Sequence, residues 1–126
     1  MTIAAIFFSI LCLIVIAFQF ALVLGAPWGE YTMGGQLKGV LPPSRRAAAG
    51  VQALILILFA LVALTRAGLI LPGLFNFSRV VMWVIVAFFV FGSIMNWASK
   101  SKKERYLWGP VNVIMLALSV ILALGG

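Results

Sequence analysis

Four long apolar stretches, at about 3–25, 47–66, 79–97 and 108–125, occupy most of this 126-residue chain. Each holds roughly 18–23 residues with almost no charge inside, and a helix needs about 20 to cross the hydrocarbon core of a bilayer. Backbone polar groups in lipid must be satisfied within a helix or a closed barrel. These stretches are continuous rather than alternating, which excludes barrel strands. The expected fold is therefore all-α: one polytopic domain over 1–126, a left-handed bundle of four transmembrane helices. Composition agrees, with 65% hydrophobic residues and a mean hydropathy of +1.24, where a globular chain is about 45–50% apolar.

The same composition removes most chemistry. There is no His and no Asp, and the only acids are Glu30 and Glu104. Nothing resembles a nucleophile–base pair or a cluster of metal ligands, so no catalytic residue, metal or cofactor is expected and the chain reads as a non-enzyme. Cys12 lies alone inside the first stretch, which precludes an intrachain disulfide and suggests a buried, inert thiol. The first stretch lacks a basic leader region, is too long for a signal-peptide core and ends at Gly25-Ala26-Pro27, so it reads as a retained span.

The net charge is +7. Its cations sit in short connections beside apolar spans, where membrane orientation and anionic headgroups explain them better than nucleic acid does. Lys38, Arg45 and Arg46 fall in the first connection and Lys100, Lys102, Lys103 and Arg105 in the third, against Arg66 and Arg79 on the side of the termini. Short cytoplasmic loops are rich in Lys and Arg, which predicts cytoplasmic first and third connections and both termini outside. Trp28, Tyr31, Trp97, Tyr106 and Trp108 flank the basic side and Trp83 the other, as expected of an interfacial aromatic belt, with a ligand cage as the functional reading.

Punctuation residues set the expected boundaries. Gly25-Ala26-Pro27 ends the first span. Pro42-Pro43 breaks the chain before Ser44, a candidate N-cap for the second span, and Asn76 or Ser78 is a candidate cap for the third. The stretch Ser99–Arg105 reads as a charged turn with Glu104 solvated, and the fourth span as starting at Trp108-Gly109-Pro110. Small residues at Ala5, Ser9, Ala17, Ala21 and Gly25, and at Ala60, Ala63 and Ala67, offer stripes for close helix approach within the bundle or between copies.

Polar side chains within spans are the best pointers to function. Gln19 and Gln52 each lie about 9 Å below the basic surface, at about 1.5 Å per residue. Asn96 and Asn112 lie on the same side, with Ser93 one turn from Asn96. Two readings stand: a polar vestibule for a headgroup or small ligand, or amides bonded between helices, Gln19 to Gln52 in particular. The 20-residue first connection, Pro27–Arg46, adds Glu30, expected to pair with an arginine, and Lys38, Arg45 and Arg46, candidates for a phosphate, a carboxylate or anionic lipid. Gly34, Gly35 and Gly39 would allow its turns.

The stretches GAPWGEYTMGGQLKGVLPPSRRAAAGVQ and SIMNWASKSKKERYLWGPVN resemble a group of small, uncharacterised bacterial four-span membrane proteins. That resemblance implies a four-helix protein of a bacterial inner membrane and carries no activity or site. Small multidrug transporters have an acidic residue in the first span, which is absent here. Four-span fluoride channels have a Gly-Thr-Thr-Phe-Ser-type break, also absent near Phe88, Phe89 and Phe91. The expected role is structural, accessory or lipid-binding, with lipids, further copies or another membrane protein as partners. The alternative is a small oligomeric transporter or channel with a vestibule on the basic side. Polar residues that stop halfway across favour the first.

Overall fold

Helix formation follows the apolar stretches but starts before three of them. The computed structural model describes residues 1–32 and 37–125; the turn reading of Gly34 and Gly35 lies outside them. The long helices are α1 (Thr2–Val23), α2 (Pro43–Arg66), α3 (Phe75–Trp97) and α4 (Lys102–Leu124), with short 3₁₀ turns at Gly29–Tyr31 and Pro72–Leu74. No strand occurs among the described residues. At 22 to 24 residues, each helix is about 33–36 Å long, enough to span a hydrocarbon core of about 30 Å. Every one is apolar enough to cross a membrane.

The early starts have local causes. Pro42 is the N-cap of α2 and Pro43 its first residue, where a missing N–H breaks no intrahelical bond. The proline pair therefore starts the helix, and Ser44 lies inside it rather than capping it. Leu74 precedes α3, and neither Asn76 nor Ser78 caps it; the Ser78 hydroxyl donates to the Phe75 carbonyl at 2.6 Å. In α4, Ser101 Oγ accepts the Glu104 N–H at 3.2 Å. Ser101-Lys102-Lys103-Glu104 has the spacing of a capping box, so the charged turn is the first turn of α4. Pro110 then sits inside that helix. Its neighbour Gly109 lies against the Trp97 ring, and a Cβ there would stand 2.9 Å from Cε2, so a larger residue would displace that ring.

The other ends close by satisfying carbonyls. Gly25, at φ +99°, donates to Leu22 and Ala26 donates to Ala21, the Schellman pattern that ends a helix on a left-handed residue. Arg46 of α2 donates from Nε and Nη2 to the Val23 carbonyl at 2.9 and 2.7 Å. It places a cation at the C-terminus of α1, which the helix dipole favours.

Helix α1 packs chiefly on α2, and α3 chiefly on α4. The buried face of α1 is Ala5, Phe8, Cys12, Ile16, Gln19 and Leu22, and α2 answers with Ala49, Ala53, Leu56 and Ala63. Cys12 is buried and free, as expected. Of the small stripe read on α1, only Ala5 is buried, and Ala17 faces outward. In each spanning window only 22–28% of residues are buried within the chain. Leu13, Leu54, Leu58, Phe77, Val84, Phe91 and Ile94 all lie exposed, a surface suited to lipid and costly in water.

Mid-bundle, Phe8, Phe59, Phe88 and Phe89 pack edge to face, with centroids 4.9–5.9 Å apart. Beyond them, towards the termini, the hydroxyls of Thr65, Ser78 and Ser119 bond to carbonyls of their own helices. That half is less uniformly apolar than expected, because Arg66 is only 5% exposed and lies over the Phe75 ring.

Candidate functional site: a polar cavity beneath the basic connections

Above the phenylalanine layer, at the basic end, lies a cavity of about 290 Å³. Each of the four helices contributes one primary amide to its lining: Gln19 from α1, Gln52 from α2, Asn96 from α3 and Asn112 from α4. These are the four amides that the sequence places at one depth. Phe88, Phe89, Leu56 and Met115 also line it, and Phe18, Trp108, Tyr31, Thr32 and Glu104 supply the rest of its polar and aromatic wall.

The amides are not bonded to one another. Among the described residues no hydrogen bond joins two of them. Gln19 is 7% exposed, yet its Oε1 has no partner, so the expected Gln19–Gln52 bond is not made. Asn96 Nδ2 donates to Gly92 of its own helix at 2.9 Å. Trp108 Nε1 is likewise buried without a partner. An orphaned buried carbonyl or N–H costs about 1–3 kcal/mol, and buried polar groups in native proteins ordinarily find partners. The cavity thus holds unused hydrogen-bonding capacity of both senses.

Glu104 corrects the sequence reading. It is 8% exposed and lines the cavity rather than standing solvated in a turn. In a capping box the N3 carboxylate reaches back to the N-cap N–H. Here the Ser99 hydroxyl takes that N–H, accepting from Ser101 at 3.2 Å, and the Glu104 side chain turns inward.

The first connection reaches the cavity through Tyr31 and Thr32. Gly29 is buried where the loop crosses itself: its N–H donates to Gly39 at 2.8 Å, and a Cβ there would meet the Leu37 carbonyl at 2.4 Å. Leu41 anchors the loop against Leu22 and Ala49. The Ser101 hydroxyl donates to the Glu30 carbonyl at 2.6 Å, and Lys103 pairs with the Glu30 carboxylate and lies over the Tyr31 ring. The expected arginine partner of Glu30 is therefore a lysine of α4.

The cations anticipated as anion ligands are elsewhere. Arg46 caps α1, Lys38 is exposed and Arg45 is half-buried at the start of α2. None of the three is part of the cavity lining. Of the interfacial aromatics, Trp97 and Tyr106 face outward as a belt requires, whereas Tyr31 and Trp108 are cavity walls. No group of residues suited to a metal occurs among the described residues.

This architecture defines a small multi-pass helical membrane protein. Comparison with protein-family models, curated proteins and solved structures finds no match to the chain.

Proposed function

We propose that the chain is a non-enzymatic membrane protein of a bacterial inner membrane that holds a small polar group in this cavity, with its basic end cytoplasmic. The observation that carries the reading is the convergence of four amides, one per helix, without bonds between them. Helix–helix bonding would consume such groups, whereas a ligand site leaves them available. The reading deepens the accessory or lipid-binding role expected from the sequence. The transporter or channel alternative draws support from the vestibule itself, but the phenylalanine layer beneath it favours a blind site over a conducting path. Phosphate capture by Lys38, Arg45 and Arg46 is not favoured, since none of them reaches the cavity.

Accessibility to a membrane-impermeant cationic methanethiosulfonate tests this, in a background with Cys12→Ser. Gln52→Cys and Asn112→Cys are expected to react in inside-out vesicles and not in right-side-out ones. Met82→Cys, fully buried beyond the phenylalanine layer, is expected to react in neither. Reaction of Met82→Cys in inside-out vesicles would carry the aqueous path through the phenylalanine layer and replace the blind-site reading with the transporter one.

A further inference from the structure

The polar cavity has an apolar neighbour. A second hollow of about 340 Å³ is lined by Phe18, Trp28, Tyr31 and Leu107. Phe18 and Tyr31 line both, so the two spaces adjoin at these two rings. Trp28 and Leu107 are each 43% exposed, which opens the hollow sideways between α1, the first connection and α4, at the level where interfacial aromatics meet headgroups. Phe18 stacks on Trp28 with centroids 6.0 Å apart and meets Trp108 edge-on at 4.8 Å. One aromatic row thus runs from the lipid-facing groove to the amide cavity.

The two compartments differ in chemistry. The groove offers hydrocarbon and ring faces. The cavity offers four amides, the Tyr31 and Thr32 hydroxyls, an indole N–H and one carboxylate, with no Lys or Arg among its described lining residues. An anion placed there would meet no Lys or Arg among the described lining residues. A neutral hydroxylated group or an ammonium would instead find acceptors, donors and aromatic faces. At about 290 Å³ the cavity sits at the low end of ligand pockets, about 300–1,000 Å³. It suits the head of an amphiphile and not the whole molecule.

Building on the ligand-holding reading, we infer that the ligand is an amphiphile taken from the bilayer. Its uncharged or cationic hydrogen-bonding head occupies the amide cavity and its apolar tail lies in the Phe18–Trp28–Tyr31–Leu107 groove. Access is lateral, between α1 and α4.

Native mass spectrometry of the full chain released from mild detergent tests this with three probes of matched acyl chains. These are a monoglucosyl diacylglycerol (neutral head), a phosphatidylethanolamine (ammonium-bearing head) and a phosphatidylglycerol (anionic head). One of the first two is expected to be retained as a single equivalent at about tenfold higher affinity than phosphatidylglycerol, and which one it is identifies the head. Gln19→Leu, which removes a cavity acceptor, and Leu107→Trp, which fills the exposed groove, are each expected to weaken retention about tenfold, the scale of one lost hydrogen bond or apolar contact set. Equal retention of all three probes, unchanged in both variants, would mean annular lipid only and overturn the inference. Retention lost in Gln19→Leu but kept in Leu107→Trp would place the ligand in the cavity without the groove. That overturns lateral access while the ligand-holding reading stands. Retention of no probe, with Gln52→Cys still reactive in inside-out vesicles, would overturn the amphiphile and leave a water-borne ligand.

Discussion

At Gln19 the alternatives separate by sign. If this amide bonded α1 to α2, replacing it would cost about 0.6–2 kcal/mol. Its Oε1 instead stands buried and unpartnered, and an apolar group of similar size relieves a penalty of about 1–3 kcal/mol. Gln19→Leu is therefore expected to unfold in detergent at the same temperature as the parent chain or a higher one, followed by circular dichroism. A clear fall would restore the helix-bonding role. The position of Gln19 was legible from its place in an apolar run. Its lack of a partner was not, because that depends on where Gln52, Asn96 and Asn112 point.

Among the elements, the start of α4 carries the most structure per residue. Ser101 caps the helix through Glu104 N–H and holds the first connection through the Glu30 carbonyl. Loss of an N-cap costs about 0.5–2 kcal/mol. The Glu30–Lys103 pair is partly exposed, and ion pairs in contact with water add little to stability. Ser101→Ala is thus expected to lower stability more than Glu30→Gln, and only the Glu30→Gln effect should vanish in high salt, since screening acts on the ion pair. Thermal unfolding of both variants at low and high salt checks this; an equal or larger loss in Glu30→Gln would contradict it. The Ser-x-x-Glu spacing was visible in the sequence. The surrounding charge obscured it, because a run of Lys and Arg reads as a solvated turn unless the cap is weighed first.

On the scale of the molecule, both basic connections lie at one end and touch there through Glu30, Ser101 and Lys103. Seven of the nine cations belong to this end, and short basic loops stay in the cytoplasm. A C-terminal alkaline phosphatase fusion is expected to be active; a well-expressed but inactive fusion would invert the orientation and turn the cavity outward.

Residue order alone determined the four spans, the all-helical class and the depth of the four amides. These follow from the length of apolar runs and the rise of a helix, which are local properties. Tertiary structure decided which polar groups became a site. Glu104 and Trp108 entered the wall and Arg46 left it for the Val23 carbonyl, because a side chain's destination depends on the face its helix presents and on which neighbour takes its hydrogen bonds. The groove beside the cavity also has no sequence signature. It exists only where Phe18 of α1, Trp28 and Tyr31 of the connection and Leu107 of α4 meet, residues up to 89 positions apart, and that meeting is a product of packing.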